Sequence, residues 1–388
     1  MSIRLRNLFS RLRKRVAGQE VTVYPSYGYR DPGDDSTWIV PMRVWVHDNR
    51  DTPFVELVIQ DWAVEHFEKD VKRALDSAEK AQLRECLESF IADDKSRESV
   101  EFSFEDDEAR TVFRLKQTTS PSGVIEEAIR IPDSLVKNCY ARQKDGDRWL
   151  AINARTGDGN GKGAGVLRFL EPEGVCVVSD IDDTIKLTRI PAGKKTVLRN
   201  TFLRKFEAVP GMRERFTALA SDTGAHKDVC FHYVSGSPWQ MYAVLSRFLF
   251  EETRFPSGTL HMKALRLNLI ERGSIGNLVT FATGGDLATL DQKIRQITDL
   301  MLHLPRRKFI LIGDSGERDP EVYRAIRELF PDQVLEIQIR QVLGQRLEGM
   351  HVISEPDAYV ALDTADLVAE MKVLIDKARG AGAVSQKL

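Results

Sequence analysis

The sequence predicts an α/β domain built on a doubly wound parallel sheet, preceded by a smaller β-rich domain. Short continuous apolar runs at 175–178, 229–234, 309–312 and 334–339 alternate with helical patterns at 239–248, 290–302 and 320–330. Strands apolar on both faces, separated by helices, are the mark of a buried parallel sheet. Before residue 165 the texture differs: apolar and polar residues alternate and turn residues intervene. A length of 388 residues also leaves room for a second domain.

Taken in order, residues 1–19 form a basic segment. Arg4, Arg6, Arg11, Arg13, Lys14 and Arg15 are joined by Leu5, Leu8, Phe9, Leu12 and Val16 at helical spacing. It reads either as a weak anchor on an anionic membrane or as a frayed, solvated terminus. Residues 20–165 are expected to be the β-rich accessory domain with a helical insertion. Stretches 21–24, 38–46 and 54–59 are rich in β-branched and aromatic residues, and Asp31-Pro32-Gly33 is a turn. Val100, Phe102 and Phe104 alternate with Glu101, Ser103 and Glu105, and further strands are expected at 111–116, 124–131 and 150–153. Leu83, Cys86, Leu87, Phe90 and Ile91 step at i, i+3, i+4, i+7 and i+8, the spacing of the inserted helix. Five glycines within 157–165 read as a loop. The α/β domain then covers 170–375, and 376–388 is a flexible tail.

Composition excludes several classes. With 56 Lys+Arg against 58 Asp+Glu the net charge is −2, which argues against a nucleic-acid partner. No apolar run is long enough to cross a bilayer, and the start lacks the apolar core of a secretory signal. Cys86, Cys139, Cys176 and Cys230 form no CxxC pair, so reduced thiols and a cytoplasmic location, with peripheral membrane contact, are expected.

In parallel α/β sheets ligands bind beyond the carboxyl ends of the strands, and acids stand there. The first run ends in Ser179-Asp180-Ile181-Asp182-Asp183-Thr184, with two carboxylates two residues apart. One can attack while the other moves a proton. The plainer alternative is an Asx turn or a helix cap by Asp183 or Thr184. The third run ends in Gly313-Asp314, with Asp319 before Pro320. Hard oxygens from separate strand ends suit Mg2+, although Asp319 would also cap a helix starting at Pro320. The second run ends in Ser235-Gly236-Ser237-Pro238, an oxyanion cradle or an ordinary cap. Lys293 lies on the helix before the third strand.

In this order the motifs resemble those of the haloacid-dehalogenase-like (HAD-like) phosphohydrolases: DxDxT at Asp180, Asp182 and Thr184, a hydroxyl at Ser235, a lysine at Lys293 and acids at Asp314 and Asp319. The strings VSDIDDTIK, HYVSGSPWQMY and KFILIGDSGERDPEVY are similar to the catalytic domain of App1-type (actin patch protein) phosphatidate phosphatases. The resemblance covers about 170–345, with Lys263 as the alternative lysine. It implies a Mg2+-dependent phosphatase converting phosphatidate to diacylglycerol through an aspartyl-phosphate. Asp180 is then the nucleophile, Asp182 the acid and base, and Ser235, Gly236 and Lys293 the phosphate holders. Asp180, Asp182 through its main chain, and Asp314 are the implied metal ligands, with Asp319 beside them.

Residues 185–206 hold Lys186, Arg189, Lys194, Lys195, Arg199, Arg204 and Lys205, interleaved with Val197, Leu198, Phe202, Leu203 and Phe206 and without an acid. This reads as a lid in which Lys194, Lys195 and Arg199 meet a phospholipid or anionic surface. The alternative is a solvated face with its apolar side on the core. A soluble phosphomonoester or phosphoprotein substrate, or a non-catalytic binding module, are the competing functions.

Overall fold

The computed structural model describes residues 18–49, 53–143, 148–221, 228–264, 287–343 and 346–353. The tail at 376–388 and all but the end of the basic segment at 1–19 lie outside them. The chain divides into two units, Met1–Glu56 with Ile91–Glu171, and Leu57–Phe90 with Pro172–Leu388.

This division differs from the expected one. The stretch 54–59 is not a strand but the start of helix α1 (Pro53–Val71), followed by α2 (Ser77–Ile91). β-branched content favoured a strand, yet Ala63, Val64 and Phe67 continue the apolar positions at helical spacing and are buried. The helical pair groups with the second unit because its apolar face meets residues there. The Phe67 ring stands edge-on to Phe202 at 5.5 Å, and Cys86 Sγ donates to the Thr201 carbonyl at 3.6 Å. Arg247 pairs with Glu85.

The first unit is a nine-stranded sheet of β1 (Gly18–Val23), β2 (Ser26–Asp31), β3 (Asp34–Asn49), β4 (Asp93–Asp94), β5 (Val100–Phe104), β6 (Phe113–Arg114), β7 (Val124–Pro132), β8 (Leu150–Thr156) and β9 (Lys162–Phe169), with helix α3 (Asp133–Arg142). β3 carries β7 antiparallel on one edge and β1 and β2 on the other. Val40, Val44, Ile131, Leu150, Ile152 and Leu167 form its core. The glycine-rich stretch read as a loop is half strand. Gly163 and Gly165 sit in β9, where β1 passes so close that a Cβ at Gly163 would meet the Val21 carbonyl at 1.7 Å. Missing side chains permit this approach.

The second unit contains β10 (Val175–Ser179), α4 (Lys194–Leu198), α5 (Met212–Ser221), β11 (Val229–Pro238), α6 (Tyr242–Arg247), β12 (Thr259–Lys263), α7 (Leu287–His303), β13 (Lys308–Asp314), α8 (Asp319–Leu329), β14 (Val334–Leu343) and β15 (Arg346–Ile353). The sheet order is β12-β11-β10-β13-β14-β15, parallel except for the edge strand β15. All five residues of β10 are buried, as a strand covered on both faces requires. The chain enters at the centre with β10, builds outward to β12, then crosses to β13. That reversal between β10 and β13 is where such sheets open a crevice at their carboxyl ends.

Candidate active site

Asp180 follows β10 at that crevice, its amide donating to the Ile312 carbonyl of β13 at 2.9 Å. The chain then turns back sharply. Asp183 takes a left-handed conformation (φ 54°), and its carboxylate accepts from the amides of Thr188, Arg189 and Ile190 at 2.9, 2.6 and 2.6 Å. Asp183 is thus the anchor of the turn that presents Asp180 and Asp182. Thr184 donates to Asp314 Oδ2 at 3.2 Å, tying this turn to the end of β13.

Asp314 is held from its other side. Its Oδ1 accepts from the amides of Gly316 and Glu317 at 2.6 and 3.1 Å. Lys293 reaches in from α7, with Nζ 2.8 Å from Asp180 Oδ1, 2.8 Å from Glu317 Oε2 and 2.6 Å from Asp319 Oδ1. The Asp180 contact is an ion pair without hydrogen-bond alignment, and Asp180 Oδ2, also buried, meets no donor among the described residues. Asp319 spends its second oxygen on the Asp314 amide at 3.2 Å. It is the first residue of α8, whose cap position is Arg318 and carries no side-chain cap bond, so the capping alternative is corrected: Asp319 balances Lys293 instead. Lys263 instead donates to Thr289 Oγ1 at 3.2 Å.

Four carboxyls therefore face one ammonium in the interior. Burial, and then the neighbouring acids against Lys293's pull, raise Asp180 and Asp314 well above the ordinary carboxylate range. Glu317 is pushed up to about 7, by burial first and by Asp319 against Lys293. Lys293 moves well up, because Asp180, Asp319 and Glu317 outweigh burial. Asp180, Asp314 and Glu317 each offer an oxygen, all within 4.8 Å of one another. Hard oxygens, an excess of carboxyls and a buried oxygen lacking a donor fit a hard divalent cation.

Asp182 has a separate setting. Lys186, itself buried, lies 2.6 Å from Oδ1, and Thr188 Oγ1 donates to the same oxygen at 2.5 Å. Burial would raise this carboxyl, but Lys186 and Thr188 outweigh it and hold Asp182 below its ordinary value. Ser235 and Ser237 stand 3.5 and 3.4 Å from Oδ2, and the Ser237 amide donates to Ser235 Oγ at 3.0 Å. Gly236 lies between them, with the Thr289 methyl 3.0 Å from where a Cβ would stand.

The reading of 185–206 as a lid of seven surface cations is corrected. Lys186 is turned inward onto Asp182, and Val197, Leu198, Phe202 and Leu203 are buried. Arg189, Lys194, Lys195, Arg204 and Lys205 are exposed, and Arg199 is half-buried. Sequence reasoning missed Glu317, Lys186, Thr188 and Ser237. Lys186 carried one signal, a cation four residues from Asp182; Glu317 carried another, a third acid in the Asp314–Asp319 loop.

These features define a carboxylate centre, bridged by one lysine, at the switch point of a parallel α/β sheet. Residues 175–341 match the family model described as "Phosphatidate phosphatase APP1, catalytic domain". Over that span the chain is similar to an App1-type catalytic domain. Phosphatidate phosphatase APP1 of Saccharomyces cerevisiae is 32% identical over 174 residues, covering 44% of this chain and 27% of its own. An uncharacterised protein of Schizosaccharomyces pombe is 29% identical over 177 residues, covering 45% and 26%. The chain spans about a quarter of the length of these curated relatives.

Proposed function

We propose that the chain is a HAD-like, Mg2+-dependent phosphohydrolase whose substrate is phosphatidate, cleaved to diacylglycerol and phosphate through an aspartyl-phosphate. The observation that carries this reading is the meeting of Asp180, Asp314, Glu317 and Lys293 where β10 and β13 end. The substrate class rests on the name of the Saccharomyces cerevisiae relative.

Asp180 attacks phosphorus, the ester oxygen leaves, and a phosphoryl group remains on the carboxylate. Asp182 and Lys186 share a proton between carboxylate and ammonium, and this pair protonates the departing oxygen. In the second step Asp182, kept ionised by Lys186, takes a proton from the water that releases phosphate. Ser235, the Gly236 main chain and Lys293 hold the equatorial oxygens. Asp180, Asp314 and Glu317 would hold Mg2+, with the Asp182 main-chain carbonyl as a further ligand; its chemistry there is to screen the nucleophile from the phosphate's charge. Asp319 serves as counter-charge to Lys293. The exposed cations from Arg189 to Lys205 face an anionic lipid surface.

Phosphate release is measured with Mg2+ on phosphatidate vesicles and on p-nitrophenyl phosphate, for the wild type and Asp180→Asn. The expected result is hydrolysis of phosphatidate by the wild type, lost in EDTA and lost in the folded variant. Turnover of the soluble ester alone would replace the lipid assignment. Inactivity on a broad ester panel would favour a binding module, and turnover by folded Asp180→Asn would end the covalent mechanism.

A further inference from the structure

The strands that lead to Asp180 and Ser235 carry, near their amino ends, two cysteines. Cys176 of β10 and Cys230 of β11 are in register on neighbouring parallel strands, so both side chains leave the same face. Their sulfurs lie 2.7 Å apart, well inside van der Waals contact. His232, two residues along the same face, places Nε2 3.5 Å from Cys230 Sγ, and its Nδ1 is fixed by Thr259 Oγ1 at 2.7 Å.

Two soft-donor chemistries are open to such a trio, and the geometry separates them. Thiolates sharing one tetrahedral zinc ion, each about 2.3 Å from it, stand roughly 3.8 Å apart. These sulfurs are over an ångström closer, nearer a covalent S–S separation of about 2.05 Å. The neighbouring cation is already present. Arg307 is fully buried, donates to the Glu173 and Asp228 carbonyls at 3.0 and 2.6 Å, and pairs with the Asp228 carboxylate at 3.0 Å. A guanidinium in this place favours an anionic sulfur and disfavours a second cation.

We propose that Cys176 and Cys230 are a modification site, a dithiol that a peroxide converts to a disulfide joining the strand before Asp180 to the strand bearing Ser235. The sulfurs divide the work unequally. Burial acts to raise both; it prevails at Cys176, whereas at Cys230 the bond from Cys176, Arg307 and His232 outweigh it and favour thiolate. Cys230 thiolate attacks the peroxide oxygen, breaking the O–O bond to give a sulfenic acid and, with a proton, water. Cys176 sulfur then displaces that hydroxyl, forming the S–S bond and a second water. Two thiols have lost two electrons, and one peroxide has gained them. Both sulfurs are covered, so reaction waits on local opening of the strand ends and favours a small oxidant. Cys86 and Cys139 do not compete, since burial pushes their thiols up to about 12 and about 11.

The test treats the reduced wild-type chain with hydrogen peroxide, alkylates remaining thiols in denaturant and maps tryptic peptides by mass spectrometry. The expected product links peptide 169–186 to peptide 228–247 with loss of two hydrogens, separates in dithiothreitol, and leaves Cys86 and Cys139 alkylated. Cys230→Ser should give no linked peptide. Recovery of both peptides unlinked, whether alkylated or singly oxidised, would overturn the proposal. So would stoichiometric zinc in the purified chain that protects both thiols, since the trio would then be a metal site. Neither outcome bears on the catalytic reading, which uses none of these residues.

Discussion

Replacing Lys293 by methionine keeps an unbranched side chain, one atom shorter, and removes the ammonium that Asp180, Glu317 and Asp319 share. Each contact of Nζ with Asp180, Glu317 and Asp319, at 2.6 to 2.8 Å, is worth about 6 kcal/mol by Coulomb's law at an effective dielectric constant of about 20. Desolvating the ammonium, which is 4% exposed, and crowding the acids offset most of this. Deleting one partner of a buried pair nets a loss of about 3–5 kcal/mol. In Lys293→Met the acids must repel one another or take up protons, at about 1.4 kcal/mol per pH unit above their pKa. The loss should therefore be largest near pH 8 and smaller near pH 5.5, where Glu317, raised to about 7, already carries a proton. Urea unfolding in EDTA, followed by circular dichroism at both pH values, measures it. A loss below about 1 kcal/mol near pH 8, or one independent of pH, would refute the account of Lys293 as the counter-charge of this cluster.

Glu317 is raised from 4.5 to about 7, so the folded chain keeps a proton that the unfolded chain releases. Metal-free stability should fall as pH rises through that window, and Mg2+, which displaces the proton, should raise the unfolding midpoint more near pH 8 than near pH 5.5; thermal scans with and without Mg2+ give the sign. Asp314→Ala removes one of the three clustered oxygens and should weaken Mg2+ binding by tenfold or more, about 1.4 kcal/mol, read by calorimetry; unchanged affinity would place the ion elsewhere. Neutralising the exposed Lys194, Lys195 and Arg204 together should weaken sedimentation with anionic vesicles by about 1 kcal/mol per charge at low salt, while hydrolysis of p-nitrophenyl phosphate stays unchanged. Equal slowing of lipid and soluble substrates would make the segment structural.

The sheet of the second unit was legible because β10 and the middle of β13 are apolar without interruption, a pattern that a two-sided core explains, while β11 and β14 are apolar runs broken by polar residues. Asp180, Asp314 and Lys293 followed from position at strand ends and motif order. Glu317 and Lys186 carried only a faint signal, a third acid in the Asp314–Asp319 loop and a cation four residues from Asp182. Each looks like a solvated side chain in one dimension, and only the fold of the Asp183 turn and the Asp314 loop turns them inward. The strand expected at 54–59 shows the converse limit: β-branched residues enter a helix when tertiary contacts, here Phe67 with Phe202, reward it. Likewise the alternating glycines of β9 carry no side-chain signal, since their use is to let β1 come close.

The second unit is discontinuous along the chain, for α1 and α2 are made before the first unit is complete, yet they pack on residues that follow it. During synthesis, residues 57–90 must wait with Phe67, Leu83 and Phe90 uncovered until Phe202 and its neighbours emerge. A chain cut to begin near residue 172 would lack both helices, although the segment matched by the family, 175–341, would be whole. Such a fragment would hold Asp180, Asp182, Lys293, Asp314 and Glu317 and still expose the apolar surface of 197–203 to water. Its solubility, before its chemistry, would be what suffers.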